Sequence, residues 1–336
     1  LGGVGAVAVD LRHKKEKVAR DMLLYYLRHY CAQGAPLAAL YPFRPDFYKR
    51  MGFGYGAKLN VYRVKPLDLP ARGNKSAVTF IARDEYDRVT ACYERVRQQR
   101  NGLFAMTRGH VKQLLEQTSR QLVGVIDETQ AIRGYAVMGF RDYDDGNFLH
   151  NDIEVQWLVV ENTAVLYDLL AFFRSQADQV DRIIIHSHDP ELHYLFHDPR
   201  NGRGGLIRPV YHQSNVQGVG IMYRVIDVAG LFAALADANF NEQTITLRLQ
   251  IADSFLPENA GEWVVVWENG RCHLDNTAVA DATLALDVSD FSSLITGAVD
   301  FDSLYRLGLV QLSNPETAVA VQRLFAVERP WCMTAF

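Results

Sequence analysis

Val4-Gly5-Ala6-Val7-Ala8-Val9, then His13-Lys14-Lys15-Glu16-Lys17, and, some thirty residues on, Phe47-Tyr48-Lys49-Arg50-Met51-Gly52-Phe53-Gly54-Tyr55-Gly56 are the segments on which the reading of this chain turns. The alternation in the first predicts a strand. The second predicts a cationic turn, 18–33 a helix, 36–41 an apolar strand, and the third a short helix carrying Tyr48. A turn that opens a helix leaves backbone N–H groups without partners, at the positive end of the helix dipole. Such an end suits a pyrophosphate, and Lys14, Lys15 and Lys17 add charge there. Two parallel strands that splay apart leave backbone groups for an amide-bearing arm such as pantetheine. An ordinary βαβ unit with a solvated basic turn explains the same spacing.

These segments resemble the GNAT superfamily of N-acetyltransferases, and within it the "enhanced intracellular survival" (Eis) branch. The resemblance implies acetyl-CoA-dependent transfer of an acetyl group to a primary amine of a small molecule or peptide. In the family the turn reads Arg/Gln-x-x-Gly-x-Gly/Ala, and its amides hold the pyrophosphate. The matching residues are Lys14-Lys15-Glu16-Lys17-Val18-Ala19. The resemblance therefore places acetyl-CoA along Val7, Val9, Lys14, Lys15, Lys17, Val18 and Ala19. Lys17 stands where the family has glycine. It implies either a main chain held further from the phosphate or a direct ammonium contact.

Tyr48 matches the family's general acid, which protonates the departing thiolate; a phenol with a pKa near ~10 carries its proton at neutral pH. The same residue also reads as a half-buried packing tyrosine beside Phe47 and Met51, and Tyr55 reads as packing. The family ends in a phenylalanine whose α-carboxylate is the general base. Here the chain ends Pro330-Trp331-Cys332-Met333-Thr334-Ala335-Phe336, which assigns that role to Phe336. Ala335 replaces a frequent acid, which argues against a polycationic acceptor.

The chain has 336 residues, 49% of them apolar, with a net charge of −4, enough for two or three domains and without the basic excess of a nucleic-acid binder. No apolar run is long enough to span a bilayer. Cys31, Cys92, Cys272 and Cys332 lack CxxC spacing and read as reduced thiols of a cytoplasmic protein. Gly3-Val4-Gly5-Ala6-Val7-Ala8 matches a dinucleotide fingerprint only superficially, because its glycines lie inside an apolar run instead of opening a helix. A complete GNAT fold has three strands and two helices before this point, so the first domain is expected to be partial.

Residues 61–64 predict a strand leaving that domain, and 66–76 a linker. Strands at 78–82, 122–127, 131–141, 152–160 and 182–187 alternate with helices at 85–100, 106–117 and 162–179, with a turn at 142–147. This order resembles a second GNAT-like domain without a cofactor turn. His186, His188, His193 and His197 have zinc-like spacing, but Pro190 divides them and no HExxH frame is present, so no metal is assigned. A further turn is read at 198–202. From 223 a helix, four strands joined in part by an Asn269-Gly270 turn, and three helices predict an α+β layer. It resembles a sterol-carrier-like domain, with a packed core favoured over a lipid cavity.

The expected fold is mixed α+β and α/β. It comprises a partial GNAT domain (1–65), a second GNAT-like domain (66–222) and a sterol-carrier-protein-like domain (223–336). The resemblance further implies a homo-oligomer, commonly a hexamer; charge and hydropathy point to no nucleic-acid or membrane partner. A non-catalytic binding or assembly protein with a degenerate cofactor turn is the competing expectation.

Overall fold

The computed structural model describes all residues except 118, 143–150, 202–205 and 334–336. The turn expected at 142–147, the end of that expected at 198–202, and the Phe336 carboxylate fall outside the described residues. The chain divides into two compact units: Leu1–Ala57 with Val219–Pro330, and Lys58–Gly218 with Trp331–Thr334.

The first unit opens with strand β1 (Gly2–Val4), helix α1 (Val18–Ala32), strand β2 (Leu37–Leu40), helix α2 (Pro45–Lys49) and strand β3 (Gly54–Tyr55). β1 pairs with β2 in parallel. The strand Met222–Val225 then pairs antiparallel with both β2 and β3, and the sheet runs β1, β2, 222–225, β3. The sequence reading had put residues from 223 at the start of the last domain, leading into a helix. The strand instead completes the first sheet, about 170–190 residues from its partners. Tyr26 of α1 fastens the helix to the sheet, its hydroxyl lying 2.9 Å from the Gly2 carbonyl and 3.1 Å from that of Ala39.

The rest of this unit is a five-stranded sheet formed by Arg271–Leu274, Gly261–Glu268, Ile245–Ala252, Ala282–Asp287 and Val310–Leu312, in that order. The expected hairpin turn has φ of 49° at Asn269 and 79° at Gly270, both left-handed, as a two-residue turn between right-twisted strands requires. Trp267 fills the centre, and the rings of Phe232, Phe240 and Phe325 meet it edge-on. The interior around Trp267 is therefore occupied by side chains, as the packed-core reading expects. The short strand Val310–Leu312 was not anticipated.

The second unit is built on a seven-stranded sheet ordered Asn215–Val219, Lys58–Val64, Arg182–Ser187, Asn151–Val160, Ile132–Asp142, Gln121–Ile126, Val78–Ile81. The pair 151–160 with 182–187 is parallel, and the helix Thr163–Arg174, capped by Asn162, connects it. The strand expected at 61–64 runs over Lys58–Val64 and pairs with Arg182–Ser187 in the second unit. Residues 66–76, expected as a linker, are tied to the same unit. Arg174 donates to the Leu67 and Leu69 carbonyls, the Asn74 amide donates to Asp168 at 2.7 Å, and the Arg72 guanidinium lies 3.6 Å from the centre of the Tyr167 ring.

Candidate active site

The site begins where the β1–β2 ladder ends. Pairing runs from Gly2 with Ala38 to Val4 with Leu40 and then stops. The alternating run at residues 4–9 is thus a strand only at its start: Ala6 takes a left-handed φ of 53°, which breaks the pleat. Val7 and Val9, expected on a strand, lie beyond the ladder on half-buried, unpaired chain. Residues 6–9 have no ladder partner among the described residues.

A short 3-10 turn, Leu11–His13, leads to the lysines. Lys15 and Lys17 are both left-handed, with φ of 70° and 65°, and Lys17 is the N-cap of α1. Lysine thus takes the backbone conformation that a glycine would take without cost. For an L-residue it costs about 1–2 kcal/mol, and strain of this kind gathers at functional sites. The main chain at Lys17 follows a left-handed path and carries an ammonium as well. No side chain caps α1. The Asp21 amide donates to the Lys17 carbonyl at 3.0 Å, and the amides of Val18, Ala19 and Arg20, which precede it, meet no partner among the described residues. Glu16 is turned onto His13, 2.9 Å from Nδ1. Lys14, Lys15 and Lys17 are exposed and make no ion pair among the described residues.

Leu40, at the end of the ladder, belongs to an apolar cluster with Leu23, Leu27, Ala38, Tyr48, Met51 and Phe53, and Val4 packs against it. Tyr48 is 3% exposed, more deeply buried than its sequence suggested. Its ring is met edge-on by Phe43, Phe47 and Phe53 at 5.8, 5.2 and 5.9 Å. No side chain or carbonyl partners its hydroxyl among the described residues. Burial alone pushes the phenol above its ordinary pKa, so the proton is firmly held near neutrality. The structure thus brings Val4, the body of α1 (Leu23 and Leu27) and Tyr48 into one cluster. Tyr55 differs from its expected packing role: it is exposed on the edge strand, its ring 5.5 Å from the Lys49 ammonium.

A separate groove of about 450 Å³ is lined by Arg28, Cys31, Asp227, Glu258 and Trp263, among others. It opens at the far end of α1, about 20 Å along the helix from the lysine turn at 1.5 Å per residue, and belongs to a different part of the unit.

The four histidines do not converge. His186 meets Glu154 at 2.9 Å, and His188 lies 2.7 Å from both the Lys58 and Cys332 carbonyls. His193 meets the Pro190 carbonyl at 3.1 Å. No group of three or more His, Cys, Asp or Glu suited to a metal occurs among the described residues. All four cysteines are free thiols. No helix among the described residues is long and apolar enough to cross a membrane.

Residues 1–56 match the model of an acetyltransferase (GNAT) domain, residues 91–225 match a second, and 231–333 match a sterol carrier protein domain. A comparison with curated proteins gives no match. Among solved structures, the chain is similar to a GCN5-related N-acetyltransferase from Anabaena variabilis, with a TM-score of 0.80 at 17% identity over 99% of this chain and 81% of that one. It is also similar to one from Kribbella flavida, with a TM-score of 0.76 at 20% identity over 99% of this chain and 80% of that one. Eis1 from Mycobacterium abscessus gives a TM-score of 0.78 at 20% identity, over 99% of this chain and 82% of that one. Two GNAT acetyltransferase domains followed by a sterol carrier protein domain make up this chain.

Proposed function

We propose that the protein is an acetyl-CoA-dependent N-acetyltransferase of the Eis branch, acting on a primary amine of a small molecule or peptide. One observation carries the reading: Val4 at the end of the β1–β2 ladder, Leu23 and Leu27 of α1 and the buried Tyr48 share a single apolar cluster, and the N-terminus of that same helix is uncapped and flanked by lysines. The residues fit the donor in kind. Unmet amides at Val18 and Ala19 and the cations of Lys14, Lys15 and Lys17 suit a pyrophosphate. The unpaired backbone at Val7 and Val9 suits an amide-bearing arm.

In this reading the acceptor nitrogen forms a bond to the acetyl carbon as the carbon–sulfur bond breaks. Tyr48 gives its proton to the departing sulfur. The Phe336 α-carboxylate takes the proton released by the amine, directly or through water. The same reading has the protein working in the cytoplasm as a homo-oligomer.

The test is acetyl transfer to a panel of primary amines, read as free thiol released. Tyr48→Phe is expected to lower kcat by about 10²–10⁴-fold while calorimetric affinity for acetyl-CoA stays unchanged. Removal of Phe336 is expected to lower kcat in the same way. Unaltered turnover in Tyr48→Phe overturns the role given to Tyr48, and no acetyl-CoA binding at high micromolar concentration overturns the assignment in favour of a non-catalytic binding or assembly protein.

A further inference from the structure

α2 has only five residues, Pro45–Lys49, too few to hold a helical geometry unaided. Tyr48 is on its last turn, so something else must fix the phenol. Both amides that close the turn, Met51 at 2.9 Å and Phe53 at 3.1 Å, donate to the Tyr48 carbonyl. The chain reverses at Gly52, whose φ of 79° is left-handed. The Arg224 guanidinium lies against this reversal: Nη1 donates to the Gly52 carbonyl at 3.3 Å, and a Cβ on Gly52 would come within 2.3 Å of it.

Arg224 has no exposed side-chain surface, and neither has Asp253, whose two oxygens accept from Nη2 at 2.8 Å. Asp253 is fixed in turn by the Phe255 and Leu256 amides and by Asn259. On the outer side of α2, Lys49 Nζ meets Asp290 at 2.6 Å. Asp290 lies in the first turn of the helix Val288–Ile295. The same helix closes over β3: a Cβ on Gly54 would fall 2.0 Å from the Ser289 carbonyl oxygen. Asp253, Asp290 and Ser289 all belong to the region matched to a sterol carrier protein domain.

We propose that this domain serves catalysis by positioning the general acid: Asp290 through Lys49, and Asp253 through Arg224 and Gly52, clamp the helix that carries Tyr48. The inference rests on the proposed role of Tyr48 and adds that Asp290 and Asp253 are positioning residues. Neither group touches the reacting atoms. Their effect must therefore pass through Tyr48, and that gives a signature that simple destabilisation lacks.

The experiment is a double-mutant cycle on the full-length protein between Asp290→Asn and Tyr48→Phe, read as kcat, with acetyl-CoA affinity measured separately. Asp290→Asn is expected to lower kcat by about tenfold, within the range by which displacements well under 1 Å slow a reaction, with KM and Kd for acetyl-CoA unchanged and partial recovery in Asp290→Glu. In the Tyr48→Phe background the same change is expected to have no further effect. Wild-type kcat in Asp290→Asn, or the same fold-loss in both backgrounds, overturns the clamp. A Tyr48→Phe variant with full activity instead sinks the role given to Tyr48, so the two failures are distinguishable. If Asp290→Asn does not fold, Lys49→Met removes the same ion pair from the other side and is judged by the same cycle.

Discussion

Lys17 offers a sharp physical test of the cofactor turn, because its backbone and its charge can be varied separately. Its φ of 65° lies in the left-handed region. Lys17→Gly removes a backbone penalty of about 1–2 kcal/mol but returns part of it through the looser unfolded chain, about 0.5–1 kcal/mol. Lys17→Ala keeps the penalty and loses the ammonium. The glycine variant should therefore exceed the alanine variant by about 0.5–1 kcal/mol, or about 1–4 °C in Tm for a unit of this size.

Binding separates the other way. Both variants lose one exposed cation from the helix mouth, worth about 0.3–1 kcal/mol at low salt. Acetyl-CoA affinity should fall about two- to fivefold in each, and the difference from wild type should shrink at high ionic strength. Thermal melts of the three proteins and calorimetric titrations at two salt concentrations provide the readout. Equal stability of the two variants would refute the left-handed turn. Unchanged affinity in both would refute the placement of the pyrophosphate beside Lys17.

Two further predictions concern buried charge and the tail. Arg224→Met leaves Asp253 charged and unpaired in the core and should cost about 3–5 kcal/mol, read as a lower urea midpoint; adding Asp253→Leu should recover much of that loss. Trp331 donates its backbone N–H to the Asn101 carbonyl at 2.9 Å, Arg100 lies 4.9 Å over its ring, and His188 meets the Cys332 carbonyl, so His188→Gln should speed removal of the C-terminal residues by carboxypeptidase. Burial lowers the His188 pKa, against the two carbonyls that raise it. The docked fold therefore binds fewer protons than the open one. Its contribution is complete above the usual histidine pKa of about 6.5 and is lost as pH falls through the depressed folded value. The pH dependence of tail protection should flatten in His188→Gln.

What the sequence made legible was local. α1, the Tyr48 helix, the Asn269-Gly270 turn and most strands of the two large sheets follow from apolar periodicity and turn chemistry within windows of about ten residues. The lysine turn was legible as a cationic helix start, but not the left-handed conformation of Lys17, because φ at a single residue depends on how the turn joins its neighbours. The exchange of strands was illegible for a different reason. Met222–Val225 pairs with β2 and β3 across more than 160 residues, and no local pattern marks such a partner. The same distance hides the links of Lys49 to Asp290 and of Gly52 to Arg224, which join residues 241 and 172 apart. Residues 66–76 misled because prolines, Gly73 and charges mark a turn-rich segment whether it floats or is tied down by Arg174 and Asp168.

The most direct measurement is a calorimetric titration of the intact protein with acetyl-CoA, repeated on a variant in which Lys14, Lys15 and Lys17 are all alanine. The account predicts saturable binding that weakens as salt is raised and falls by at least tenfold in the triple variant. Heat-silent mixing with the intact protein at high micromolar concentration, or equal affinity in the two proteins, would contradict it.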